Sequence, residues 1–302
     1  MEQNPHQYRA GYVTIVGEPN VGKSTLLNAL LKQKISIVTP KPQTTRQRIL
    51  GILSESDVQI VFLDTPGLLK PKYLLQKNMV RAADVALADA DVIVVMVEVS
   101  NGTELSPIIA EQVIERFKDT PILLAINKVD TIAKLQVLPI MDAMNRLGVF
   151  KEIIPMSASK DLNLDDFLQT VKSYLPNHPP LYPEDIVSDH PERFFAAEFI
   201  REEVFRKFRD EVPYSTAVEI RDFKERERGK IFISADIIVE RDSQKAILIG
   251  KRGEALKNVG SAARNQIEKF IGRDVYLDLH VKVAENWRKK KDWLHRLGYG
   301  DS

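Results

Sequence analysis

The sequence predicts an α/β protein: a mainly parallel sheet covered by helices on both faces, followed by a smaller α+β domain. Three observations predict it. Short apolar runs alternate with helix-periodic segments over residues 12–175. The stretch Pro176-Asn177-His178-Pro179-Pro180-Leu181-Tyr182-Pro183 then carries four prolines in eight residues, which disfavour helix and remove backbone donors. Beyond it the order changes to helix, strand, strand, helix, helix, strand, helix. The expected organisation is a first domain over 1–175, a stiff extended linker over 176–191 and a second domain over 192–302.

Each element has a local reason. Strands are expected where apolar, often β-branched residues run together, over 12–17, 49–54, 58–64, 92–98, 122–127 and 152–156. Helices are expected where apolar residues recur at helical spacing, over 24–34, 79–88, 108–117, 137–147 and 164–174. The second domain reads as a helix over 192–211, strands over 215–225 and 230–240, and a short helix over 244–249. A helix over 253–270, a strand over 275–283 and a final helix over 284–297 complete it. In parallel sheets ligands bind beyond the carboxyl ends of the strands. The segments after residues 16, 63, 126 and 156 all fall at such ends and converge on one rim.

Composition bounds the class. A chain of 302 residues with 44% hydrophobic content has material for two cores. The net charge of +1 favours no kind of partner. The absence of cysteine excludes disulfides, zinc–thiolate sites and thiol nucleophiles, and fits a reducing compartment. No apolar stretch approaches the roughly 18 residues that span a bilayer. The polar segment 1–9 lacks the apolar region of a signal peptide. A cytoplasmic location is expected.

Residues 17–24 read Gly17-Glu18-Pro19-Asn20-Val21-Gly22-Lys23-Ser24, which fits G-x-x-x-x-G-K-[ST]. An apolar run, Tyr12-Val13-Thr14-Ile15-Val16, precedes it, and a helix-periodic segment from Thr25 follows. In that context the backbone N–H groups wrap phosphates and the helix N-terminus faces them. Lys23 reaches the β- and γ-phosphates, and the Ser24 hydroxyl ligates Mg²⁺. Asp64-Thr65-Pro66-Gly67 ends the run Ile60-Val61-Phe62-Leu63. Asp64 is the Mg²⁺-side carboxylate, and the Gly67 N–H approaches the γ-phosphate. Asn127-Lys128-Val129-Asp130 selects the base: Asp130 accepts hydrogen bonds from guanine N1–H and its exocyclic amine, and the Lys128 stem lies along the base plane. Ser157-Ala158-Ser159 offers a backbone N–H to the guanine carbonyl or, on its other reading, forms a plain loop or cap. The expected ligands are therefore GTP or GDP with Mg²⁺.

Two points bear on chemistry. Pro42-Gln43-Thr44-Thr45-Arg46 lies where a loop closes on Mg²⁺ through a threonine hydroxyl, with Thr45 preferred to Thr44. Leu68 stands where a water-orienting glutamine is found in Ras-like enzymes, and it cannot hydrogen-bond. Slow unassisted hydrolysis is expected. Asn20 has two readings: it holds a monovalent cation such as K⁺ beside the phosphates, or it only shapes the loop.

Ile249-Gly250-Lys251-Arg252-Gly253-Glu254 sets a G-x-x-G between a short apolar helix and a longer one, and resembles the loop of a KH domain. Such a loop lets the nucleic-acid backbone approach Gly250 and Gly253, with Lys251, Arg252 and Lys257 adding charge. Residues 245–296 hold 13 basic and 6 acidic residues, a local net charge of +7. Trp287-Arg288-Lys289-Lys290-Lys291-Asp292-Trp293-Leu294 places aromatics among cations, either to stack on bases or to pack on the domain.

The order and spacing of these motifs resemble the translation-factor-like GTPases and, within them, the Era group. The resemblance covers 12–175 and continues through the KH-like loop. It implies a P-loop GTPase fold followed by a KH domain of type II. It also implies binding near the 3′ end of small-subunit ribosomal RNA and a role in assembling the small ribosomal subunit, by a protein expected to be monomeric. Two rivals stand beside it: an RNA-binding assembly module with incidental hydrolysis, and a signalling GTPase touching the inner membrane surface through a basic amphipathic helix.

Overall fold

The computed structural model describes residues 8–225 and 229–300, so most of the N-terminal polar segment lies outside the described residues. The chain clusters into two compact units. The first comprises residues up to Ser36, Thr45–Lys70 and Val80–Asp189; the second comprises Ile37–Thr44, Pro71–Met79 and His190 onward.

The first unit is built on six strands: β1 (Arg9–Gly17), β2 (Ile49–Ser54), β3 (Val58–Asp64), β4 (Val92–Glu98), β5 (Ile122–Asn127) and β6 (Glu152–Pro155). They lie in the order β2-β3-β1-β4-β5-β6, all parallel except β2, which runs antiparallel to β3 as a hairpin partner. Between and after them come α1 (Lys23–Leu31), α2 (Leu74–Ala88), α3 (Pro107–Ile109), α4 (Lys134–Arg146) and α5 (Leu164–Tyr174). The central strands are buried along their length because helices cover both faces, so they read as unbroken apolar runs. One core joins Val95, Val97, Leu124 and Ile126 of β4 and β5 to Ile109, Val113 and Met144. Register places Ile15 opposite Asp64 and Glu98 opposite Asn127, which brings the motif-bearing strand ends to one rim.

Two expectations for this unit change. A regular helix over 108–117 is not formed: α3 passes into a π-type turn, Ala110–Ile114, with the Glu115 N–H bonded to the Ala110 carbonyl. The widened turn accompanies full burial of both Ile109 and Val113. The proline-rich stretch is extended, as its composition requires, but it is not free. The buried Gln59 amide accepts from the N–H groups of Leu181 and Tyr182 and donates to the Tyr182 carbonyl. The Ile52 N–H of edge strand β2 bonds to the Val187 carbonyl, so this segment covers the sheet edge.

The second unit contains α6 (Glu192–Lys207), β7 (Ala217–Lys224), β8 (Ile231–Val239), α7 (Asp242–Ile249), α8 (Glu254–Ile271), β9 (Val275–Val283) and α9 (Lys291–Arg296). β7 pairs antiparallel with β8, and β8 parallel with β9. The α–β–β–α–α–β order is that of the expected KH module. Its core includes Phe195, Phe199 and Phe205 of α6, with Phe270 of α8 packed against the first two rings. The single helix over 284–297 is corrected. Asn286 takes a left-handed conformation (φ 54°), a one-turn helix follows over Trp287–Lys289, and extended Lys290 separates it from α9. Trp287 is fully buried and its indole N–H donates to the Ser215 carbonyl at 2.8 Å, which draws the chain inward. The packing alternative therefore holds for Trp287, and base stacking does not.

Candidate functional site

Residues Gly17 to Thr25 form the turn from β1 into α1, with the Leu26 N–H bonded to the Gly22 carbonyl. Gly22 (φ 106°) admits no side chain: a Cβ there would sit 2.3 Å from Asn127 Nδ2. That contact shows how the turn is held. Asn127 donates to the Val21 carbonyl at 2.8 Å and accepts from the Ala158 N–H at 3.0 Å. One buried amide thus ties the phosphate loop to Ser157-Ala158-Ser159. Lys128 donates to the Asn20 carbonyl at 3.0 Å and pairs with Glu98. Glu18 accepts from Asn101 and Ser106, both at 2.9 Å. Asp130 lies exposed on the short turn Val129–Thr131, beside this braced framework.

Lys23 is 5% exposed, and its ammonium donates to the carbonyls of Gly17 and Glu18 at 3.2 and 2.9 Å. Burial pushes its pKa down to about 8, against the upward pull of Asp64 and Glu18. Asp64 is fully buried, and burial pushes its carboxyl up even though Lys23, Ser24 and Ser36 all favour the ionised form. Its Oδ2 accepts from Ser24 at 2.7 Å, and the Ser24 oxygen lies 2.9 Å from the Thr45 hydroxyl. Its Oδ1 is buried with no partner. Thr44 is engaged elsewhere: its hydroxyl donates to the Lys41 carbonyl at 2.8 Å and lies 2.7 Å from that of Thr39.

After Asp64, the Thr65 hydroxyl donates to the Ile15 carbonyl at 2.9 Å and so braces β1. Pro66 and Gly67 follow, with the Gly67 backbone so close to the phosphate loop that a Cβ would meet the Pro19 nitrogen at 2.8 Å. Leu68 donates its N–H to the Gly17 carbonyl at 3.0 Å, and its side chain lies in the hydrophobic core. The position after Gly67 is thus occupied by a packing residue.

In the second unit, Gly250 and Gly253 both have positive φ (71° and 77°) and flank exposed Lys251 and Arg252 at the junction of α7 and α8. A Cβ at Gly250 would strike that of Ala255 at 2.6 Å. From the loop a groove of about 330 Å³ runs along α8 and β9, lined by Leu256, Lys257, Gly260, Arg264, Leu277 and Leu279 among others. Of the groove's lining, the sequence indicated Gly253 and Lys257 but not the other residues. The i, i+3, i+4, i+7 spacing of residues 253, 256, 257 and 260 was the available signal. Ser36 and Glu98 had no local signal.

The fold and this geometry define a P-loop GTPase joined to a KH module. Comparison agrees: the 50S ribosome-binding GTPase family matches residues 12–128, and the KH domain family matches 211–288. GTPase Era of Geotalea daltonii is 47% identical over 97% of this chain and 98% of its own. The chloroplastic ERA-like GTPase of Arabidopsis thaliana is 43% identical over 98% of this chain and 70% of its own. A crystal structure of Era with MgGDPNP and nucleotides 1506–1542 of 16S ribosomal RNA superposes with a TM-score of 0.94. It has 42% identity and covers 97% of this chain and 100% of that one. A variant of Aquifex aeolicus Era bound to GDP·AlF4⁻ gives 0.93 at the same identity, covering 97% of this chain and all of the other. The chain belongs to the Era family of GTPases.

Proposed function

We propose that this chain is a GTP-hydrolysing switch that binds small-subunit ribosomal RNA near its 3′ end through the KH module and acts in assembly of the small ribosomal subunit. The observation that carries the nucleotide half is the Asp64 cluster. A buried carboxylate with one unpartnered oxygen accepts from the Ser24 hydroxyl of the phosphate loop, which in turn lies against the hydroxyl of Thr45. One carboxylate and two hydroxyls suit Mg²⁺, which keeps several waters and shares its coordination with substrate phosphates. Ser24, Thr45 and Asp64 would hold it, and when bound it neutralises charge on the β- and γ-phosphate oxygens. Similarity to an Era structure bound to MgGDPNP supports the assignment.

Each remaining residue then has a role. Lys23 exchanges its two carbonyl partners for phosphate oxygens, and its ammonium is stabilised there. Backbone N–H groups from Gly17 to Thr25, and that of Gly67, cradle the phosphates. Thr45 is the threonine of the metal site, because the Thr44 hydroxyl is committed to Thr39 and Lys41. Asp130 reads the guanine edge, while Asn127 holds the phosphate loop and the Ser157–Ser159 loop at a fixed spacing. With Leu68 in the core, no side chain at that position orients water, and turnover is slow without help. Asn20, exposed in the phosphate loop, is assigned to a K⁺ ion that supplies the missing positive charge.

For the second half, the G-x-x-G loop and groove are assigned to single-stranded RNA. Similarity to an Era bound to nucleotides of 16S ribosomal RNA supports the choice. RNA is preferred to a membrane surface because segment 284–297 is not one amphipathic helix. No helix among the described residues is long and apolar enough to cross a membrane. The proposal takes the protein to act as a cytoplasmic monomer. Single-turnover GTP hydrolysis in matched KCl and NaCl, with and without an RNA of the 16S 3′ end, tests it. Slow conversion to GDP is expected, faster in K⁺. Absence of hydrolysis in every condition would favour the RNA-binding module with an incidental pocket.

A further inference from the structure

Ser36 is fully buried. Its hydroxyl donates to Asp64 Oδ2 at 2.8 Å, the same oxygen that accepts from Ser24 at 2.7 Å. The backbone of Ser36 is itself clamped by one side chain of α1. Asn28 Oδ1 accepts from the N–H groups of Ile35 and Ser36 at 3.0 and 2.9 Å, and Asn28 Nδ2 donates to the Ser36 carbonyl at 2.7 Å. Ser24 and Asn28 lie one turn apart on α1, so both hydroxyls that grip Oδ2 are referenced to the same helix. The carboxylate cannot rotate without breaking one of two charge-assisted bonds, and Oδ1 is the oxygen left without a partner.

We propose that Ser36 is a positioning residue for the metal: pinned by Asn28, it locks the Asp64 carboxylate so that Oδ1 stays available to the Mg²⁺ side of the site. Ser36 is also the last residue before the segment Ile37–Thr44, which clusters with the second unit. Two residues on, the Val38 N–H bonds to the buried carboxylate of Glu202 on α6 at 3.0 Å. Just past the other end of the segment, the Thr45 hydroxyl lies 2.9 Å from that of Ser24, which donates to Asp64. Groups that hydrogen-bond a metal's ligands commonly contribute about 10–100-fold to metal affinity when they are removed singly.

The inference rests on the assignment of Asp64 to the Mg²⁺ side, and the test separates the two. Release of a fluorescent N-methylanthraniloyl GDP from the full chain is followed across free Mg²⁺ concentrations, starting in excess EDTA. In Ser36→Ala, the Mg²⁺ concentration that half-slows release should rise about tenfold, while release in EDTA stays within a factor of about two of the parent. Asp64→Asn, run in parallel, should shift the midpoint further. An unmoved midpoint in Ser36→Ala overturns the role of Ser36 if Asp64→Asn does shift it. An unmoved midpoint in Asp64→Asn overturns the assignment of Asp64. Equal acceleration of release in EDTA and in saturating Mg²⁺ makes Ser36 a packing residue of the loop and also overturns the proposal.

Discussion

Two glycine-bearing loops lead into helices in this chain, one at residues 17–24 and one at 250–253, and they are built in opposite ways. The first is cross-braced on every side: Asn127 ties Val21 to Ala158, Lys128 holds Asn20, Glu18 bonds Asn101 and Ser106, and Leu68 grips Gly17. Its cation, Lys23, is buried and already hydrogen-bonded. The second is braced by backbone bonds between near neighbours, from Gly250 to Ala246, Gly253 to Gly250 and Glu254 to Lys251, and it presents Lys251 and Arg252 to solvent. On the proposed assignments, the contrast sets two ways of recognising an anion side by side. A rigid, desolvated loop selects one ligand through donors set in advance, and losing a single group is costly. An open loop accepts a polymer backbone through close approach and screened charge, so its losses are graded and depend on salt.

The comparison breaks first at the base. Asp130→Asn replaces an acceptor by an amide, so the guanine amine loses its partner while the carbonyl of xanthine gains one. The ratio of GTP to xanthosine triphosphate affinity should fall by a factor on the order of 10⁴. Competition binding measures it, and equal GTP affinity in variant and parent would remove Asp130 from base recognition.

Lys23→Ala should cost about 2–5 kcal/mol of GTP affinity, the range for truncating one partner of a buried charge pair. Calorimetry at fixed Mg²⁺ reads it. A loss of only a few tenths of a kcal/mol would mean that this loop is no more demanding than an exposed one.

A gentler probe is pH. The free-state pKa of Lys23 lies at about 8, below its ordinary 10.5, because burial penalises the ammonium. Phosphate favours the charged form, so binding takes up a proton when the pH exceeds about 8. GTP affinity should therefore fall as pH rises through that value, by up to about tenfold per unit. The sign for folding is opposite. Between the folded value and 10.5 the unfolded chain binds more protons, so the contribution of Lys23 to stability rises across that window. GTP affinity that stays flat from pH 7 to 9.5 would show that the ammonium is fully charged before the ligand arrives.

Much of the first unit was legible because its strands are buried on both faces. Ile49–Ser54, Val58–Asp64, Val92–Glu98 and Ile122–Asn127 have the bounds that their apolar runs indicate. Strand β1 starts three residues earlier than expected, since Arg9 and Ala10 pair with Val58 and Gln59 through backbone bonds that side-chain pattern does not report. The motifs assigned to nucleotide stand out in the sequence for a related reason: each is a short contiguous word of fixed residue types. The bracing was not. Ser36 meets Asp64 across 28 positions, and Glu98 meets Lys128 across 30, so nothing local marks either contact. Residues 284–297 misled because periodicity reports where apolar groups recur. It does not reveal that the Trp287 indole finds a carbonyl 72 residues earlier in the chain, at Ser215, and interrupts the helix.

The most direct test of the account sets the two loops against each other in one molecule. Lys251→Asp combined with Arg252→Asp places two negative charges where the RNA backbone is assigned, without touching the nucleotide site. Binding of single-stranded RNA from the 16S 3′ end is measured across a salt series, with GTP affinity read on the same sample. RNA affinity should fall by roughly 10–100-fold at low salt, and its salt dependence should flatten by about two phosphate contacts. GTP affinity should not move. RNA binding unchanged in strength and salt slope would contradict the assignment of the 250–253 loop to nucleic acid and, with it, the second half of the proposed function.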